Sequence, residues 1–143
     1  MKKPKREVLD VEFDFNFKLF ALSTTLRDYQ LCYQINKNFL YNLRRVNDIE
    51  VNQPKKQVAS VHSHFSFCIE ELQREIHLIT NHSNGSYFLS ELKIADYLLK
   101  LMGEVSEEEE TEILNRLRKI QSVNLVKEIP VDSIRQKNNL IFD

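Results

Sequence analysis

The chain has 143 residues, of which 42% are hydrophobic and 29% are charged, and its formal net charge is −1 at pH 7. This length and composition are typical of one globular domain with its own hydrophobic core. The near-neutral charge argues against a general nucleic-acid coat, which carries a strong basic excess. The presence of only two glycines excludes glycine-rich phosphate loops and the glycine-flanked nucleophile of serine hydrolases.

The first ten residues predict a flexible basic lead-in rather than an export signal. Lys2, Lys3, Lys5 and Arg6 are followed by acidic residues, and no apolar core of signal-peptide length comes next. No stretch approaches the roughly 20 apolar residues that a membrane span requires. Two cysteines are also too few for a secreted domain that depends on disulfides. We therefore expect a cytoplasmic protein in which residues 11–143 form a single domain.

The first predicted elements are a strand and a helix. Every odd position over 11–21 is apolar, which predicts a half-buried strand, and the other face also turns apolar in its later part, at about 17–23. Thr25 can cap a helix over about 25–38, where apolar residues recur at three- and four-residue spacing. Residues 42–51 form a weaker strand candidate.

The middle of the chain predicts a pair of strands. Residues 58–69 alternate between apolar and polar side chains, and residues 75–80 form a strand partner. The polar cluster at 81–86, which contains Asn84 and Gly85, is a clear turn signal.

The last third predicts a strand, a helix and a strand. An apolar run over 93–102 precedes a helix at 106–120, and a second apolar run follows at 123–129. Ser106 and Glu109 have the spacing of a capping box at the start of that helix. We predict an α+β fold: an antiparallel or mixed sheet of five to six strands with two helices on one face. Strand–helix–strand units at 17–50 and 95–129 resemble the halves of ferredoxin-like folds.

Three segments resemble the IPExxxVDY family of small bacterial proteins. They are residues 17–29, 89–97 and 137–142, so the resemblance covers nearly the whole chain. It implies cytoplasmic residence and a protein without an established activity, and it assigns no substrate.

The family signature corresponds to residues 89–97. Glu91, Asp96 and Tyr97 match it and form a motif of unknown role. The chain departs from the signature where the family name reads Ile, Pro and Val, at Leu89, Ser90 and Ala95. Because the proline is missing, the resemblance does not imply a rigid turn at this position.

His62, His64 and Cys68 lie on one face of the predicted 58–69 strand, because their spacings are even. His77 or His82 could complete a zinc site, which needs three or four convergent ligands. A solvated strand face explains the same residues, and their spacing matches no recurrent zinc pattern. We predict no metal and no cofactor.

Glu91 and Asp96, with Tyr97 as a further donor, invite a general acid/base interpretation. Residues five positions apart, in a loop leading into a strand, would point in different directions. We therefore favour a protein without catalytic residues and leave open whether it is an enzyme.

A basic-aromatic feature is formed by Tyr41, Arg44 and Arg45. The neutral net charge nevertheless disfavours a nucleic-acid partner.

Leu140, Ile141 and Phe142 put three large apolar side chains at a terminus, where residues normally fray. We expect this tail to dock on its own domain, with binding to another protein as the alternative.

The preferred functional hypothesis is a non-catalytic protein-interaction or adaptor domain, which binds another protein or self-associates through a sheet edge. The alternatives are a small-ligand-sensing regulatory module, by analogy with domains of similar architecture, and an RNA-associated accessory factor.

Overall fold

The computed structural model describes residues 17–53 and 58–142. These ranges contain ten strands and two α-helices, together with short 3-10 helices at Glu70–Leu72, Val131–Ser133 and Lys137–Leu140. The elements are β1 (Phe17–Thr24), α1 (Asp28–Phe39), β2 (Arg44–Arg45), β3 (Ile49–Gln53), β4 (Val58–His62), β5 (His64–Ile69), β6 (Arg74–Thr80), β7 (His82–Ser83), β8 (Ser86–Tyr87), β9 (Tyr97–Met102), α2 (Glu107–Arg118) and β10 (Val123–Glu128). The predicted lead-in at 1–10 and the strand positions 11–16 lie outside the described residues.

Six strands form the main sheet in the order β10-β1-β9-β6-β5-β2. Every neighbouring pair in it is antiparallel. Strands β3 and β4 form a separate two-stranded sheet, and so do β7 and β8. The predicted α+β class, with an antiparallel or mixed sheet of five to six strands, is therefore confirmed; the sheet has six strands and is antiparallel.

The order of four strands gives the sheet its ferredoxin-like character. Strand β1 lies between β9 and β10, which α2 connects, and β9 lies between β1 and β6. The chain therefore contains two interleaved strand–helix–strand units. Strand β9 of the second unit lies between β1 and β6 of the first, and β1 of the first unit lies between β9 and β10 of the second. The first unit is completed by β6 and not within residues 17–50, since β2 is a two-residue strand at the far edge of the sheet.

Both helices pack on one face of this sheet, as predicted. The core on this side joins apolar residues of the central strands to the buried faces of the helices: Phe20, Leu22, Leu78, Leu99, Leu31, Ile35, Ile113 and Leu117. Helix α2 forms where expected, because the Ser106 hydroxyl accepts a bond from the Glu109 amide and acidic residues fill the first turn.

Helix α1 begins at Asp28, three residues later than predicted. The hydroxyl of Thr24 accepts a bond from the Leu26 amide and donates to the Ser122 carbonyl, so it holds the end of β1. The cap residue is Arg27, whose amide donates to the Gln30 side chain at 2.9 Å.

Irregular segments cover the opposite face of the sheet. Side chains from residues 88–95 and 129–140 pack there against β1, β6 and β9. Asn81 is fully buried and organises the first segment: its amide nitrogen donates to the Leu92 and Ala95 carbonyls, and its oxygen accepts from the Leu89 amide. The predicted turn at 81–86 is the β7–β8 hairpin, which precedes the 88–95 segment and in which Asn84 and Gly85 have positive φ. In the described ranges, no helix has the length and apolar character needed to cross a membrane.

Candidate functional site

Glu91 connects the loop after β8 to the C-terminal segment. Its Oε1 accepts a hydrogen bond from the Gln136 backbone amide at 2.8 Å. The Gln136 side-chain oxygen in turn accepts from the backbone amide and the hydroxyl of Ser90, at 2.8 and 2.9 Å. The two segments are therefore held together by three hydrogen bonds at this point.

Asp96 and Tyr97 hold the C-terminal end of β1 and the residues that follow it. Asp96 Oδ2 accepts from the Thr24 amide at 3.0 Å, and the Tyr97 hydroxyl donates to the Leu26 carbonyl at 2.7 Å. Burial raises the pKa of Tyr97 to about 12, so the phenol keeps its proton and stays a donor. The motif residues are thus directed at different backbone segments, which gives them structural roles.

The histidines predicted to share a strand face have different environments. The alternating run at 58–69 is interrupted at Ser63, so His62 belongs to β4 and His64 to β5. His62 contacts the Ser60 hydroxyl at 2.7 Å and the Thr80 carbonyl at 2.9 Å. Cys68 is an exposed free thiol. Among the described residues, no three His, Cys, Asp or Glu side chains gather in a way that could hold a metal ion.

A buried row instead consists of His64, His77 and Lys100. It crosses the neighbouring strands β5, β6 and β9 on the face of the sheet opposite the helices. His64 Nε2 lies 2.8 Å from His77 Nδ1, and His77 Nε2 lies 3.0 Å from Glu75 Oε1. Lys100 is directly opposite His77 in the β6–β9 register. Burial lowers the pKa of both imidazoles, that of His64 to about 4, and the neighbouring His77 and Lys100 add to the effect on His64.

The C-terminal tail covers this row. Lys100 Nζ donates to the Leu140 carbonyl at 2.6 Å and lies 4.4 Å from the centroid of the Phe142 ring. The same ring meets His64 and His77 edge to face, with centroids 5.0 and 5.2 Å apart. Leu140 is buried and Ile141 is exposed. The tail named from the sequence therefore lies on its own sheet.

Sequence reasoning missed the role of Lys100. It is 2% exposed, although a lysine is rarely buried in a folded protein. The available signal was a single charged side chain between Leu99 and Leu101 in the middle of an apolar strand pattern.

The basic-aromatic residues near β2 are largely engaged in local contacts. Arg45 pairs with Asp48 at 2.6 Å and lies 3.9 Å from Asp28. The Tyr41 ring stacks on Phe39 and contacts Phe67. Tyr41 and Arg45 are thus held by contacts within the fold.

A cleft of about 1020 Å³ opens between the loop that follows β7 and the segment that follows β10. One wall carries residues 85–87, Ser90, Glu91 and Lys93, and the other carries Ser133, Arg135 and Gln136, with Gln53 beside them. Gln53 Nε2 donates to the Tyr87 carbonyl at 3.2 Å and fixes the β8 side of the cleft. Two walls joined by the Glu91–Gln136 bond thus flank an open cleft with room for a metabolite.

Residues 89–97 contribute Ser90, Glu91 and Lys93 to one wall of the cleft, but the cleft could not be located from sequence spacing. Its second wall, which begins at Ser133, starts forty residues after Lys93, and the sequence shows no pattern that pairs the two segments.

Comparisons with protein-family models, with curated proteins and with solved structures find no match to this chain.

Proposed function

We propose that the protein is a non-catalytic regulatory module that binds a small ligand in the cleft between residues 85–93 and 133–136. The single observation that carries this proposal is the cleft itself, whose volume of about 1020 Å³ suits a metabolite. It is lined by polar side chains and backbone on walls already joined by hydrogen bonds. A site that is formed before binding avoids much of the entropic cost of ordering.

The arrangement of the titratable groups supports binding in preference to catalysis. Glu91 and Asp96 each accept a bond from a backbone amide, and Tyr97 donates to a carbonyl. His64 and His77 lie beneath the tail, and neither lines the cleft. A general acid or base must reach the proton it transfers, and these groups are committed elsewhere.

We place this activity in the cytoplasm. Cys32 and Cys68 are both free thiols, which suits a reducing compartment. The resemblance to the IPExxxVDY family remains a prediction.

A thermal-shift screen against metabolites tests the proposed function. We expect at least one compound to raise the melting temperature, since a ligand that binds only the folded state stabilises it. Ser133→Trp puts a bulky ring on the cleft wall and should abolish the shift. Asp132→Trp is the matched control, because Asp132 is the neighbouring exposed residue and does not line the cleft. The absence of any shift, or binding that survives Ser133→Trp, would contradict the proposal.

A second candidate function, self-association, is favoured by the edge of the sheet. Among the described residues β10 pairs only with β1, and its Leu125 is 44% exposed. An exposed strand edge is a ready template for pairing with a second copy of the chain.

Light scattering after size exclusion tests self-association. A dimer that is lost in Leu125→Glu and kept in Leu40→Glu would support it, because Leu40 is exposed at the end of α1 and lies outside β10. A monomeric native protein would contradict it.

A further inference from the structure

We propose that the cleft selects an anionic ligand, namely a small molecule with a carboxylate or a phosphate that Lys93 and Arg135 bind. This inference rests on the proposed function and adds the chemical class of the ligand. Carboxylate and phosphate oxygens are the groups that ammonium and guanidinium donors recognise best.

The charges of the cleft are unequal. Its charged lining residues are Glu91, Lys93 and Arg135. The carboxylate of Glu91 already accepts the Gln136 amide. Within residues 17–53 and 58–142, neither Lys93 nor Arg135 has an ion pair or a side-chain hydrogen bond. Two cations without a carboxylate partner there leave the cleft with an excess of positive charge.

The neutral groups favour the same class of ligand. The hydroxyls of Ser90 and Ser133 already donate, to the Gln136 side chain and the Pro130 carbonyl. The Gln136 side-chain oxygen already accepts two bonds from Ser90, while its amide nitrogen has no partner among the described residues. The hydroxyl of Tyr87 also has none in that part of the chain. The Gln136 amide nitrogen and the Tyr87 hydroxyl therefore add two available donors to the two cations, and an acceptor-rich anion complements them.

The positions of the two cations favour joint binding. Lys93 belongs to the wall after β8, and Arg135 belongs to the wall formed by the C-terminal segment. The hydrogen bonds of Gln136 to Ser90 and Glu91 join these walls next to Arg135. A ligand that contacts both cations therefore binds between segments whose separation is already fixed, and each contact adds to the other.

Calorimetry with matched ligand pairs at constant ionic strength tests the inference. The pairs are glucose 6-phosphate with glucose, and succinate with succinamide, so that only the anionic group distinguishes the partners. We expect the anion of at least one pair to bind and its neutral partner to fail, and the pair that responds identifies phosphate or carboxylate. Lys93→Gln and Arg135→Gln should each weaken that binding by roughly tenfold, the usual effect of one charged hydrogen bond.

Lys119→Gln is the control for nonspecific charge, because it removes the same charge from an exposed residue at the end of α2. It should leave the affinity unchanged. Equal binding of charged and neutral partners, or unchanged affinity in both cleft variants, overturns the anionic class and leaves the proposed function intact. If neither these compounds nor the metabolite screen gives binding, both proposals fail.

Discussion

Asn81 is a buried polar residue whose side chain replaces regular secondary structure. Its amide satisfies two carbonyls and one backbone amide of the 89–95 segment, all within 2.9 Å. A buried backbone group without a partner costs free energy comparable to a lost hydrogen bond. This one side chain therefore allows a loop to pack against the sheet as though it were a regular element.

We predict that Asn81→Ala lowers the free energy of unfolding by about 3 kcal/mol, because three buried backbone groups lose their partner. Urea denaturation measures this change. Asn124→Ala is the control, since Asn124 is exposed on β10 and should change stability by less than about 0.5 kcal/mol. Equal effects of the two substitutions would show that Asn81 does not organise the loop.

At the residue scale, the sequence indicated which side chains to single out but not which groups they contact. Glu91, Asp96 and Tyr97 were singled out by a resemblance, and their roles emerged only from the contacts with Gln136, Thr24 and Leu26. Those partners are distant in sequence, and no local pattern specifies them.

Among the elements, the C-terminal tail has the clearest energetic role. Leu140 is fully buried, and the Phe142 ring covers the row of His64, His77 and Lys100. Neither residue belongs to a strand, so side-chain packing and the bond from Lys100 to the Leu140 carbonyl hold the segment.

We predict that deletion of residues 138–143 strongly lowers the melting temperature, and that Leu140→Ala alone costs about 3 kcal/mol, the usual penalty for emptying a buried leucine site. Ile141→Ala should have a much smaller effect, because Ile141 is 39% exposed. Differential scanning calorimetry measures the three variants. Unchanged stability of the deletion variant would instead favour a tail that binds a partner.

The elements differ in how far local sequence specified them. Helix α2 has its cap, its acidic first turn and its basic last turn within its own residues, and its position agrees with the prediction. The alternating run at 58–69 has the polar Ser63 at one of its apolar positions, and the chain divides the run there because β4 pairs with β3 and β5 pairs with β6. Strand pairing is non-local, so one serine in an otherwise alternating run was not enough to predict two strands.

For the molecule as a whole, the buried imidazoles link stability to pH. The unfolded His64 takes up a proton near its ordinary pKa of 6.5, whereas burial holds the folded pKa at about 4. Protons therefore favour the unfolded state between these values, and stability falls as the pH drops through this window. His77 and Lys100 face His64 within the row, Asp48 acts on it with the opposite sign, and the Asn47 backbone bonds to it.

We predict that His64 alone accounts for a loss on the order of 3 kcal/mol between pH 6.5 and 4, at 1.36 kcal/mol for each pKa unit. Urea denaturation at a series of pH values measures the slope, which should be shallower in His64→Gln. His82→Gln should keep the native slope, since His82 is exposed. An identical slope in all three proteins would show that His64 titrates normally in the folded state.

The fold class followed from periodicity and the order of elements, and the interleaved topology agrees with the ferredoxin-like expectation. The covering layer of loops and the cleft within it could not be predicted in the same way. They depend on single side chains such as Asn81 and Gln136, whose partners lie in other segments.

The central position of β1 has a consequence for biosynthesis. Ala21 pairs with Leu98 on one side and with Lys127 on the other. During translation, the apolar strand β1 therefore emerges from the ribosome long before its neighbours β9 and β10 have been synthesised. Such delayed long-range closure slows folding and leaves the strand open to aggregation, so ribosome-associated chaperones should engage it early.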